Sequence, residues 1–98
     1  MGDGRSATNF LAEWYLADLA EATVDDITTR IRTATEVTTA EGAPIRLVAT
    51  LAVPSDEVLY GVFDAASSEA VIAACLRAGF PQQRLSCDVL TRFASGAA

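Results

Sequence analysis

Apolar and polar residues alternate along 9–16, and this period of two predicts a β-strand. From Val24 onward the apolar residues recur at the spacing of an α-helix, until Gly42 and Pro44 interrupt the pattern. Thr23 is a suitable residue to cap the start of that helix. The pattern therefore predicts a first strand over 9–16 and a first helix over 24–40.

The second half of the chain repeats this change of period. Segments 45–53 and 58–63 are rich in β-branched and aromatic residues, and the turn formers between them begin with Pro54, so they predict a β-hairpin. Ser67 or Ser68 can open a second helix over 70–78, which Gly79 would end in a left-handed conformation. Alternation returns over 84–93 and predicts a fourth strand.

The order of these elements is β-α-β-β-α-β. Strand-helix-strand crossovers are right-handed in nearly all proteins, and two such units that share a hairpin give a four-stranded antiparallel sheet with both helices on one face. The sequence therefore predicts an α+β, ferredoxin-like fold in a single domain over 9–93. Residues 1–8 and 94–98 are small, polar and without a period, so we expect flexible tails there.

This architecture leaves one face of the sheet uncovered. Strict alternation would turn a first set of strand residues toward the helices: Phe10, Ala12, Trp14, Leu47, Ala49, Leu51, Leu59, Phe63, Leu85, Cys87 and Val89. It assigns a second set to the uncovered face: Leu11, Glu13, Tyr15, Arg46, Val48, Thr50, Tyr60, Val62, Asp88, Leu90 and Arg92. Six of these eleven are apolar or aromatic, which favours an interface, and a sheet-to-sheet homodimer would cover it. The alternative is that one strand is out of register by one residue.

Charge and composition narrow the class of protein. Thirteen acidic and seven basic residues give a net charge of −6, and all seven basic residues are arginine. A nucleic-acid-binding protein needs a basic surface, so this acidic chain is not expected to bind nucleic acid or anionic membranes. The longest apolar run, 47–53, is too short to cross a bilayer, and no leader is evident at the start. We therefore expect a cytoplasmic protein.

The sequence offers little catalytic chemistry. It contains no histidine, which removes the usual general base and most transition-metal ligands, and its glycines form no phosphate-binding loop. No cofactor is therefore expected. The two cysteines, Cys75 and Cys87, fit no metal motif and are interpreted as free thiols, with a regulatory disulfide as the alternative.

One group of residues on the predicted uncovered face could carry chemistry. Glu13, Tyr15, Asp88 and Arg92 would bring two acids, a phenol and a guanidinium to one surface. A carboxylate beside a tyrosine in an apolar cleft could act as a general base. The simpler interpretation is that acidic and basic side chains pair across strands at the rim of a dimer. Trp14 is expected in the core.

Three segments resemble a small bacterial ferredoxin-like family that is largely of unknown function. The segments are FLAEWY, APIRLVATLAVPSDEVLYGVF and GFPQQRL, and the resemblance extends from Phe10 to Arg84. Its most specific part is the run from Arg77 to Pro81 together with Arg84. The resemblance implies the ferredoxin-like fold and a homodimer.

Related members of that family bind nickel, so the resemblance also implies a candidate metal site in this chain. The second helix of the family commonly carries a histidine where Ala74 stands here, and its hairpin cysteine corresponds to Gly61. Because the chain contains no histidine at all, nickel binding is disfavoured.

Three functional hypotheses remain. The favoured hypothesis is a non-enzymatic homodimeric module that binds a small apolar ligand or a protein partner through its uncovered sheet face. The candidate residues for that surface are Glu13, Tyr15, Val48, Tyr60, Val62, Asp88 and Arg92. The second hypothesis is a dimeric α+β barrel enzyme that uses Glu13, Tyr15 or Asp88 for proton transfer. The third, disfavoured, hypothesis is a nickel-binding protein.

Overall fold

The computed structural model describes residues 7–94, with the side chains described from Asn9 onward. These residues form four strands, two α-helices and a short 3-10 turn in the predicted order: β1 (Ala7–Tyr15), α1 (Glu21–Ala40), β2 (Ile45–Val53), the turn (Pro54–Asp56), β3 (Val58–Ala65), α2 (Ser68–Ala78) and β4 (Arg84–Thr91). β1 begins two residues before the predicted strand. The remainder of the predicted tails, 1–6 and 95–98, lies outside the described residues.

The four strands form one antiparallel sheet in the order β2-β3-β1-β4. β1 is therefore central, between β3 and β4, while β2 and β4 are the edges. Both crossovers carry a helix to the same side of the sheet, as right-handed connections require. The predicted α+β, ferredoxin-like fold is confirmed.

The start of α1 differs from the prediction. The helix begins at Glu21 after Ala20, which offers no side-chain cap, and the Val24 N–H donates to the Ala20 carbonyl at 3.0 Å. Thr23 therefore lies inside the first turn and is not the cap. The added residues are exposed, so apolar periodicity gave no sign of them.

The boundaries of α2 agree well with the sequence. The hydroxyl of Ser67 accepts a hydrogen bond from the Ala70 N–H at 3.2 Å and caps the start of the helix. Gly79 ends the helix with a φ of 85°, and the next N–H, of Phe80, donates to the Cys75 carbonyl at 3.0 Å. The predicted left-handed glycine is confirmed.

The core lies between the sheet and the two helices. Its largest fully buried side chains are Trp14, Phe63, Ile31, Leu59, Val71 and Cys75, so the expectation that Trp14 belongs to the core is confirmed. Both cysteines are free thiols, with Cys75 buried and Cys87 exposed. Burial raises the pKa of the Cys75 thiol to about 12, so this thiol is protonated at neutral pH and unreactive.

A β-bulge in β2 overturns part of the predicted facing. Leu47 lies opposite Phe63, but Ala49 lies opposite Val62, so Val48 is an extra residue and the alternation shifts by one. Ala49 and Leu51 consequently face away from the helices, although they were predicted to face them. Thr50, predicted to lie on the uncovered face, instead points toward α1, where its hydroxyl lies 2.9 Å from that of Thr28.

A second bulge changes the facing in β4. Leu11 lies opposite Ser86 but Asn9 lies opposite Val89, so two residues of β4, Cys87 and Asp88, occupy the place of one. Asp88 in this bulge has a φ of 58°. Val89 therefore shares the face of Asn9, away from the helices, and Leu90 takes the opposite face. The predictions for these two were wrong. Cys87, predicted to face the helices, is exposed in the bulge.

Over residues 7–94, neither helix has the length and apolar character that crossing a membrane requires.

Ile31 should be among the residues the fold depends on most. Ile31 is fully buried in the middle of α1, and truncating such a side chain removes apolar contacts and leaves a cavity. We expect Ile31→Ala to lower the free energy of unfolding by about 2–5 kcal/mol in urea denaturation. Ile72→Ala, on the exposed side of α2, is the control and should cost well under half as much. Equal losses in the two variants would contradict this assignment of the core.

Gly79 tests the left-handed end of α2. Nothing lies within 4 Å of a Cβ added there, so the cost of a substitution would come from its φ of 85° alone. We expect Gly79→Val to lower the melting temperature clearly and Gly79→Asn to lower it less, because asparagine tolerates positive φ better than a β-branched residue. Thermal unfolding followed by circular dichroism checks the order, and equally stable variants would be inconsistent with it.

Candidate functional site

The sheet surface opposite the helices is the candidate site, and we call it the open face. Cross-strand partners in an antiparallel sheet share a face, so the observed register assigns its members. They are Leu11, Glu13, Tyr15, Ala49, Leu51, Val53, Val58, Tyr60, Val62, Arg84 and Ser86, with the exposed Arg46–Asp64 ion pair of 3.3 Å at one end and Asn9 with Val89 beyond the β4 bulge.

Apolar side chains are continuous across the open face. Val62 lies between Leu11 on one side and Ala49 on the other, and the next row places Tyr60 beside Leu51. Leu51 is 55% exposed, and it is informative because it belongs to a patch of apolar neighbours rather than standing alone. A contiguous apolar patch of this kind is typical of an interaction surface.

A polar group lies at one corner of this patch. The Tyr15 hydroxyl donates a hydrogen bond to Glu13 Oε1 at 2.9 Å, and Arg84 Nε lies 3.7 Å from Glu13 Oε2. Tyr60 is the residue directly opposite Glu13 on β3. We call Glu13, Tyr15, Tyr60 and Arg84 the Glu13 cluster. The Glu13 side chain is only 12% exposed, whereas that of Arg84 is 66% exposed.

The loop between α2 and β4 holds this corner in place. The Gln83 N–H donates to the Glu13 carbonyl at 2.9 Å, and the Tyr15 N–H donates to Gln83 Oε1 at 2.8 Å. One residue further along β1 from Glu13, Trp14 Nε1 donates to the Phe80 carbonyl at 2.7 Å. The loop is thus bonded to three successive residues of the central strand, which fixes the backbone beneath the Glu13 cluster.

The environment of Tyr15 raises the pKa of its phenol above the ordinary value of 10.0. The main cause is the hydrogen bond to Glu13, followed by partial desolvation and by the negative charge of Glu13, while the positive charge of Arg84 acts in the opposite direction. The phenol therefore keeps its proton at neutral pH and acts as a hydrogen-bond donor.

The structure places four of the predicted site residues together: Glu13, Tyr15, Tyr60 and Val62. The other three lie elsewhere. Val48 is in the bulge of the edge strand β2, Asp88 is in the bulge of β4, and Arg92 follows the end of β4, where it donates to the Thr91 carbonyl at 3.1 Å.

Sequence reasoning missed several members of the open face, of which Arg84 and Leu51 matter most for the site. Arg84 pairs with Glu13 because β4 begins opposite it, a register that alternation alone does not determine. Leu51 reaches the face only through the bulge at Val48. An available signal for Arg84 was its position as the first residue of the fourth strand, antiparallel to β1.

A separate groove runs between the second half of α1 and the edge of β2 and includes Thr39, Ile45 and Arg46 in its lining. The Thr39 hydroxyl bonds both the N–H and the carbonyl of Ile45, at 3.0 and 2.9 Å. It occupies the place that a further strand would take, so this part of the β2 edge is already closed.

Potential metal ligands do not gather in the described part of the chain: there, no group of three or more cysteine, aspartate or glutamate side chains could hold an ion.

Comparison with known proteins supports the fold. No protein-family model and no curated protein matches the sequence. Among solved structures, the chain is similar to the crystal structure of SCO4226 from Streptomyces coelicolor A3(2), with a TM-score of 0.71 and 16% sequence identity. The match covers 86% of this chain and 99% of that one. A likeness at this identity shows a shared small α+β fold.

The hydrogen bond between Tyr15 and Glu13 predicts how Tyr15 titrates. Because the chain has two tyrosines, Tyr60→Phe leaves Tyr15 as the single phenol whose ionisation is seen by ultraviolet absorbance. In that background we expect Glu13→Gln to lower the pKa of Tyr15, since the negatively charged acceptor is lost. Asp64→Asn in the same background is the control and should leave the pKa of Tyr15 unchanged. An unchanged curve in the Glu13 variant would show that the two groups are not bonded in solution.

Proposed function

We propose that this protein is a non-enzymatic homodimeric binding module whose open face packs against a second copy of the chain and holds a small apolar ligand between the two sheets. The observation that carries this proposal is the continuous apolar surface on the side of the sheet that no helix covers in the described residues. The alternative is that the open face binds a protein partner instead of a small ligand.

The layer structure supports a second copy as the cover. A sheet that is apolar on both sides needs a layer on each, and here the helices supply only one. Two copies related by a two-fold axis would give each open face an identical apolar surface to pack against, which is the commonest way in which homodimers form. The assembly would then be helices, sheet, sheet and helices, with the two sheets about 10 Å apart.

The different sizes of the side chains on the open face support a ligand between the two sheets. In one row, Val62 and Leu11 lie between two small side chains, Ala49 and Ser86. The neighbouring row begins with the larger Leu51 and Tyr60. When two such faces meet, the large residues hold the sheets apart and the small residues of the next row leave a cleft between them. Apolar clefts with a few polar groups are typical of small-molecule sites.

The geometry favours binding over proton transfer. In a barrel enzyme that used Tyr15 as the base, the phenol would have to accept a proton from a substrate, but its pKa is raised and it donates to Glu13 Oε1. Asp88, the other acid of that hypothesis, lies in the β4 bulge near the position opposite Phe10 rather than beside Glu13. Nickel binding is disfavoured by the lack of histidine in the chain.

A charge placed on the open face tests the dimer. Leu51 is 55% exposed in the single chain, so Leu51→Glu should fold, yet it would bury an unpaired carboxylate twice in the proposed dimer. We expect light scattering at micromolar concentration to give the mass of two chains for the wild type and of one chain for Leu51→Glu.

Leu76→Glu is the matched control, because Leu76 is 65% exposed on α2, on the other side of the molecule. It should remain dimeric. A wild type with the mass of one chain, or a loss of the dimer in both variants alike, would overturn the proposed use of the open face.

A further inference from the structure

The Glu13 cluster indicates which ligand the open face selects. We propose that the ligand is a small organic ammonium ion, an amine with an apolar body, whose charged group binds Glu13. This inference rests on the proposed function, since it concerns the same surface and names the chemistry of its ligand.

The Glu13 carboxylate has an oxygen open to a donor. Oε1 accepts the Tyr15 hydroxyl, but among the described residues no donor lies within hydrogen-bond distance of Oε2. Arg84 Nε is 3.7 Å away and its side chain is largely in solvent. A carboxylate that is only 12% exposed loses hydration, and charged donors offset this loss more strongly than neutral ones do. An ammonium group supplies such donors together with a positive charge.

Two tyrosines are neighbours of Glu13 on this face. Tyr15 follows Glu13 two residues along β1 on the same face, and Tyr60 lies directly opposite Glu13 on β3. Aromatic faces attract a partly desolvated cation, so the two phenol rings and the carboxylate favour an ammonium ion over a neutral or negatively charged group. Beyond the rings, Val62 and Leu51 offer an apolar surface to the body of the ligand.

The charge of the chain agrees with this selection. A net charge of −6 raises the local concentration of cations and repels anions. Arg84 is the intramolecular cation nearest Glu13 Oε2, and its exposed side chain can move aside. The ligand would therefore compete with Arg84 for the carboxylate, so removing the Arg84 charge should strengthen ligand binding.

Titration calorimetry with three compounds of one shape tests the ligand class. The probes are 2-phenylethylammonium, its neutral counterpart 2-phenylethanol, and the anion 3-phenylpropanoate, each at neutral pH with the wild-type chain. We expect the ammonium ion to bind at least about tenfold more tightly than the alcohol, with the anion weakest of the three. Equal affinity for ammonium ion and alcohol, or tighter binding of the anion, would overturn the inference.

Three variants locate the binding. Glu13→Gln should weaken the ammonium ion about tenfold and leave the alcohol unchanged, whereas Arg84→Gln should tighten the ammonium ion because its competitor is gone. Arg30→Gln is the matched control, since Arg30 is also an exposed arginine beside an acid, Asp26, but lies on α1 and away from the open face. Its affinity should equal that of the wild type. Weaker binding in Arg84→Gln would contradict the competition.

Light scattering on the same samples separates this inference from the proposed function. A dimer that does not prefer the ammonium ion overturns the inference and leaves the proposed dimer intact. A monomeric wild type overturns the proposed function, and with it the inference that depends on that surface.

Discussion

The close packing of Trp14 against Gly61 is the constraint on which the rest of the molecule depends. Trp14 is 2% exposed on the central strand, and a Cβ added at Gly61 of β3 would lie 2.9 Å from its Cζ3 atom, closer than two carbons can approach. Glycine therefore lets the indole lie against the neighbouring strand. The indole N–H then reaches the Phe80 carbonyl at 2.7 Å, immediately after the left-handed Gly79 that ends α2. One side chain thus ties β1, β3 and the end of the second helix together.

This anchor also positions the open face. Trp14 points into the core, so its neighbours on β1, Glu13 and Tyr15, must point away from it. The loop that Trp14 holds at Phe80 continues to Gln83, which bonds the backbone of both neighbours. The core contact and the Glu13 cluster are therefore coupled through one short loop. A change that loosened the indole would be expected to shift the carboxylate on the other face, even though no side chain passes through the sheet.

The sequence was sufficient for the elements of the fold and for part of the site, because both depend on local patterns. The alternation of β1 assigned Glu13 and Tyr15 to the open face, and that of β3 assigned Tyr60 and Val62. Alternation did not predict the facing of residues in the two edge strands, β2 and β4, correctly. A bulge adds a residue without changing composition, and Asp88 adopts a left-handed conformation that only the pairing with β1 reveals. For the same reason Asp88 and Arg92 were grouped with Glu13, and Arg84, its actual neighbour, was overlooked.

The bulge in β2 does more than displace residues; it makes the open face more apolar than regular alternation would. With regular pairing, Thr50 would lie on that face and Leu51 would be turned to the helices. The observed register exchanges them, and the Thr50 hydroxyl meets that of Thr28 on α1 while Leu51 is left 55% exposed. Exposing a leucine loses its apolar burial, about 1.5–3 kcal/mol, which exceeds the roughly 0.5–1.5 kcal/mol that the Thr28–Thr50 hydrogen bond contributes in exchange. A second surface that covers Leu51 would restore this burial, so the proposed partner on the open face would also account for the bulge.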